Sequence, residues 1–170
     1  MKNTRIVKEV AINATKEKVW SVISDFGSIE KTSPGVTKSY LTTDQSKGVG
    51  TERHCDFTFM GASVEEKVIE WNEGDSIKID IYERKNLPLV KDMIAEFILR
   101  EDNGKTILRG VLDYSMSGGL GSLMNSVMMK KMNSKNWDKV LAGFKKFSES
   151  GELVDQNTKL DLEAVFEVND

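Results

Sequence analysis

The sequence predicts an α+β domain in which a curved antiparallel sheet of about seven strands wraps around a long C-terminal helix, with two short helices after the first strand. Three observations carry this expectation. Strand-like segments separated by turn signals fill residues 36–116. The hydrophobic period then becomes helical and stays so to about Ser148. Over 170 residues, 39% hydrophobic and 30% charged side chains suit one globular domain with a sizeable core.

Residues 5–12, RIVKEVAI, are β-branched enough for a strand. Thr15 then serves as the N-cap of a helix to about Asp25, with Val19, Trp20 and Ile23 on one face. A second short helix follows Gly27 and ends by Ser33, because Pro34 disfavours helix at the residue before it. Val36–Thr43 is the next strand. Turn signals at Lys47–Gly50, Gly61-Ala62, Asn72–Asp75 and Glu101–Gly104, with a loop holding Pro88, then divide a meander into Thr51–Phe59, Val64–Trp71, Ser76–Tyr82, Lys91–Arg100 and Thr106–Met116. Ser76–Tyr82 alternates most cleanly, with Ile77, Ile79 and Ile81 on one face and Lys78 and Asp80 on the other. In the last strand Leu108, Gly110, Leu112, Tyr114 and Met116 oppose Arg109, Asp113 and Ser115.

Gly118-Gly119 breaks the strand pattern and acts as a hinge; SGGLG lacks the Lys-Ser/Thr pair of a phosphate loop. The helix expected from Leu120 to about Ser148 would be roughly 40 Å long. Its apolar stripe includes Leu123, Met124, Val127, Met128, Met132, Trp137, Val140, Leu141, Phe144 and Phe147, with lysines mostly off it. Gly151 is a natural C-cap. The domain is expected over residues 1–150. Residues 151–170 read as an acidic tail, docked or disordered, in which LDLEAVFEV has the makings of a short element.

Several function classes fall away on composition. A net charge of −3, without a basic stripe, gives no footprint for nucleic acid. No apolar run is long enough to span a membrane, and the N-terminus lacks a secretory h-region. Cys55 is the single cysteine and His54 the single histidine, so an intrachain disulfide is impossible, no metal or cofactor site is expected, and a cytoplasmic setting is the simplest.

A strongly bent sheet around one helix leaves a concave apolar space suited to a small ligand. Period-two alternation puts Arg53, Cys55, Phe57 and Phe59 on one face of their strand, and Glu52, His54, Asp56 and Thr58 on the wetter one. The first set is expected to face the helix. In the following strand, Val64, Glu66 and Val68 alternate with Glu65, Lys67 and Ile69, and the pattern alone leaves the inward face open.

The segments INATKEKVWSVISDFGSIEKTSPGV, GVGTERHCDF, VEEKVIEWNEG and GKTILRGVLDYSMSGG, in this order, resemble the START/Bet v 1-like (SRPBCC) superfamily, and within it the polyketide cyclase/dehydrase and lipid-transport branch. The resemblance covers roughly residues 4–150. It implies the helix-grip fold and Glu66 as an inward residue. The implied ligand-facing set is Arg53, Cys55, Phe57, Phe59, Val64, Glu66, Ile77, Ile79, Ile81, Phe97, Leu112, Tyr114, Met124 and Met128. Arg53 and Glu66 either pair with each other at a wetted rim or hold a polar end of the ligand. The methionines either adapt to a ligand or fill the core.

Three functions follow from the resemblance. The first is binding or transport of a small hydrophobic ligand, such as a lipid or polyketide, in the space between sheet and helix. The second is a polyketide cyclase/aromatase-type enzyme using Arg53, Glu66 and Tyr114. The third is an interaction module for a protein or membrane partner. The loops at residues 33–35, 59–63 and 84–90 are expected to cluster at the cavity mouth, with Leu87 and Leu89 as lid or anchor.

Overall fold

The computed structural model describes residues 3–87, 90–116 and 128–169. Strand β1 (Thr4–Ile12) leads into helix α1 (Lys16–Ile23) and a 3-10 helix at Phe26–Lys31. Thr15 caps α1 by accepting a hydrogen bond from the Lys18 amide. Strands β2 (Val36–Leu41), β3 (Glu52–Phe57), β4 (Ser63–Asn72), β5 (Ser76–Lys85), β6 (Val90–Asp102) and β7 (Lys105–Met116) follow as a meander. Helix α2 (Lys130–Ser150) ends at Gly151, whose left-handed backbone, φ 72°, closes the last turn.

With β8 (Val165–Glu167), the strands form one antiparallel sheet in the order β2-β3-β4-β5-β6-β7-β1-β8. This eighth strand comes from the acidic tail and pairs with β1. Val154 is also buried, and its amide donates to the Lys31 carbonyl. These tail segments therefore dock on the fold.

Helix α2 lies across β7 and β1. Gly110 of β7 makes room for it: a β-carbon there would stand 2.7 Å from Leu141 Cδ1 and 2.9 Å from Trp137 Nε1. Close packing at this distance leaves no space for a methyl group. At its C-terminal end α2 is tied to β1, where Lys145 Nζ donates to the Ala11 carbonyl and Glu149 accepts from the Asn13 amide. The start of α2 therefore points toward the opposite end of the sheet, where Thr4 faces Tyr114 and Val90 faces Met116.

The expected helix differs from the observed one. Residues 130–150 form the α-helix, preceded by a π-turn at 128–129. Gly118-Gly119, Leu120, Leu123, Met124 and Val127 lie outside the described residues, as do Pro88 and Leu89. Within α2 the buried face carries Trp137, Leu141, Phe144 and Ser148.

Candidate functional site

The concave face has two ends with different chemistry. At the end covered by α1 and the 3-10 helix, Arg53 and Glu66 sit opposite each other in the β3–β4 register. They are 5% and 8% exposed. Arg53 Nε donates to Glu66 Oε2 at 2.6 Å, and its Nη1 donates to the Phe26 carbonyl at 2.6 Å. Its guanidinium also lies 4.1 Å from the centre of the Phe26 ring. Burying an ion pair is tolerable only when such additional bonds satisfy the remaining donors. The pair is thus sealed inside the fold rather than wetted at a rim.

Cys55 is buried opposite Val64. Burial, reinforced by Glu66, pushes its thiol pKa far above the ordinary value, so it stays protonated. Ile77, Ile79 and Ile81 are buried in one row of β5. Phe97, opposite Ile77, stacks on Trp137 with ring centres 5.3 Å apart and meets Phe144 edge-on. The cavity left among Val22, Phe26, Arg53, Ile79, Phe97 and Phe144 measures about 10 Å³. That is close to the lower limit for one water molecule.

Toward the other end the polar accounting changes. Tyr114 is buried on β7, two residues beyond buried Leu112. Its hydroxyl has no hydrogen-bond partner among the described residues, and neither do Trp137 Nε1 and Asn133 Nδ2 on the first half of α2, or Ser148 Oγ near its far end. Native interiors rarely leave such groups unsatisfied, because each unmade bond costs on the order of 1–3 kcal/mol.

Two residues of the expected ligand-facing set are elsewhere. Phe59 is 58% exposed, because β3 ends at Phe57 and the chain turns at Met60 and Gly61, both with positive φ. Phe57 itself is half-buried. Met128 is 59% exposed, and Met132 is exposed as well. At about 100° per residue, Met132 lies roughly 140° around the helix from Trp137, whereas Asn133 lies only about 40° away. The spacing of four that links Met128 to Met132 thus follows the outer face. Met124 lies outside the described residues. Asn133, Trp137, Phe144 and Phe26 are inward residues absent from the expected set. The helix phase would have given the first three; the role of Phe26 depends on a backbone carbonyl, which has no signature in sequence.

His54 lies on the outer face of β3, between Glu65 and Asp56, and stacks on Tyr40 at 5.2 Å. The Glu65 carboxylate, followed by Asp56, raises its pKa above the ordinary histidine value.

The three loops expected to cluster do so in their described parts. Asn86 Nδ2 donates to the carbonyls of Met60 and Gly61, and the Thr58 amide donates to the Gly35 carbonyl. Leu87 packs against the core.

This arrangement is a helix-grip fold, an antiparallel sheet holding a C-terminal helix over an apolar interior. The chain belongs to the family described as polyketide cyclase / dehydrase and lipid transport, whose model matches residues 3–149. No curated protein sequence matches it. Among solved structures it is similar to the Zhui aromatase/cyclase of Streptomyces sp. R1128, at TM-score 0.72 and 14% identity, covering 86% of this chain and 94% of that one. It is similar also to the major latex-like protein 151 of Panax ginseng, at TM-score 0.70 and 10% identity over 86% and 97% of the two chains. A START superfamily protein of Mycobacterium smegmatis matches at TM-score 0.68 and 15% identity over 84% and 94%. At these identities the likeness is one of fold.

Proposed function

We propose that this protein binds a small, mainly apolar molecule in the grip, on the side of Leu112, Tyr114 and Asn133, and carries it rather than transforming it. The observation behind this reading is the buried Tyr114 hydroxyl, which has no partner among the described residues, beside an apolar wall of β7 and α2. A ligand with a hydrogen-bond acceptor at one end would satisfy the hydroxyl and the Asn133 amide while covering the apolar surface. Ile77, Ile79 and Phe97, deeper in the grip, would form the floor of that site. Family membership supports the reading, since the family's description includes lipid transport.

Purified protein incubated with a total lipid and metabolite extract, re-isolated and examined by native mass spectrometry, is expected to carry a small hydrophobic molecule. The same molecule should displace a fluorescent apolar probe such as anilinonaphthalene sulfonate. Absence of any retained molecule together with no probe binding overturns the reading.

The cyclase/aromatase alternative keeps one inward proton donor, the Tyr114 hydroxyl. Its other candidates, Arg53 and Glu66, are bonded to each other. Turnover of a polyketide mimic, lost in Tyr114→Phe, would favour it over a carrier.

A further inference from the structure

The chain has a net charge of −3, yet its charges are not evenly spread. Residues 128–139, MMKKMNSKNWDK, hold four lysines against one aspartate. That aspartate, Asp138, is already paired with Lys8 of β1. Lys130, Lys131 and Lys135 are exposed, and no ion pair engages them among the described residues. Met128 and Met132 are exposed on the same stretch. A basic stretch with exposed lysines interleaved with exposed apolar side chains fits the interface of an anionic bilayer, where the lysines meet headgroups and the methionines enter the acyl boundary.

A second apolar feature lies at the same end of the fold. The start of α2 points to the sheet end that also carries the β3–β4 hairpin tip, where Phe59 is 58% and Met60 76% exposed. Met60 holds positive φ, and the Asn86 side chain bonds both Met60 and Gly61, so the tip is held in shape rather than left to collapse onto the core. Fixing a large apolar side chain outward in water gains nothing for folding; it makes sense at a surface that binds.

We propose that this end of the grip docks on an anionic lipid surface, with Lys130, Lys131 and Lys135 as the electrostatic contact and Phe59, Met60, Met128 and Met132 as the inserted side chains. No described helix is long and apolar enough to cross a membrane; the association proposed is a peripheral one. The proposal goes beyond ligand carriage and does not depend on it, because docking can be read with no ligand in the grip.

The test is co-sedimentation of the full chain with vesicles of phosphatidylcholine alone or mixed with phosphatidylglycerol. Binding is expected to the mixed vesicles, not to the neutral ones, and is expected to weaken as salt rises. The triple variant Lys130→Gln, Lys131→Gln, Lys135→Gln should bind about a hundredfold more weakly, from the roughly fivefold that each lysine contributes near an anionic surface. A Phe59→Ser, Met60→Ser variant should bind about tenfold more weakly while keeping its salt dependence. Circular dichroism and melting temperature report that each variant is folded; these side chains are exposed, so both measures should match the parent. No binding to mixed vesicles, equal binding to neutral ones, or binding unmoved in both folded variants overturns the proposal.

Discussion

The two ends of the concave face are built from the same sheet and helix, yet the polar side chains that the sheet buries there, Arg53 and Glu66 at one end and Tyr114 at the other, are treated in opposite ways. Under α1, Arg53 has Glu66, the Phe26 carbonyl and the Phe26 ring, and the space beside it is close to filled. Near Tyr114 and Asn133, buried polar atoms have no partner among the described residues. The first arrangement is complete without a ligand. The second has room for a partner that the described residues do not supply. The lesson is that a buried charge is a weaker pointer to function than a buried neutral group without a partner: the charge had to be satisfied for the chain to fold, whereas the orphan is a cost the fold tolerates.

The largest expected effect comes from breaking the satisfied end. Arg53→Ala leaves the Glu66 carboxylate buried and unpaired, and should lower unfolding stability by about 3–5 kcal/mol in urea titrations. Replacing both partners, as Arg53→Met with Glu66→Leu, should recover most of that loss, because it removes the uncompensated charge along with the pair. If the double variant still binds the ligand, this end is structural, as the comparison requires. If it folds well but no longer binds, the pair touches the ligand and the two ends are not distinct.

At the unsatisfied end the sign reverses. Tyr114→Phe removes a hydroxyl that has no partner among the described residues, so the unliganded protein should keep its stability or gain about 1 kcal/mol. Ligand affinity, measured by titration calorimetry, should fall about tenfold, the worth of one hydrogen bond. A stability loss of the usual size for a buried bonded tyrosine, with unchanged affinity, would erase the contrast between the ends.

The sequence made the satisfied end easier to read than the other. Alternation in Thr51–Phe59 placed Arg53 and Cys55 inward, and the hairpin that follows sets Arg53 against Glu66. The clean isoleucine alternation in β5 likewise fixed that strand's face. The helix was harder. Methionines four apart look like a stripe, but the buried stripe is set by Trp137, Leu141 and Phe144, and only their phase reveals Asn133 as inward. Phe59 was misplaced because a strand's alternation carries no mark of where pairing stops; the turn at Met60 and Gly61 sets that limit. β8 was visible only as a possible short element, since three residues pairing with a distant strand leave almost no local pattern.

The smallest effect belongs to the outer face of the same strand, which asks whether pairing matters where water can reach. His54 is bonded to Glu65 and Asp56, as tightly partnered as Arg53 is on the inner face. These carboxylates raise its folded pKa above the unfolded value, so the protonated form favours the fold. Its contribution is therefore fully present below the unfolded value, about pH 6.5, and is lost as pH rises through the raised folded value. Melting temperature should decline modestly across that interval, and His54→Gln, which cannot gain the charge, should flatten the decline while leaving the profile at higher pH unchanged. A solvent-reachable cluster is screened, so the slope should be shallow beside the loss caused by Arg53→Ala. A slope of comparable size would mean that exposure, which separates the inner from the outer pair, is not what decides how much a charge pair contributes to this fold.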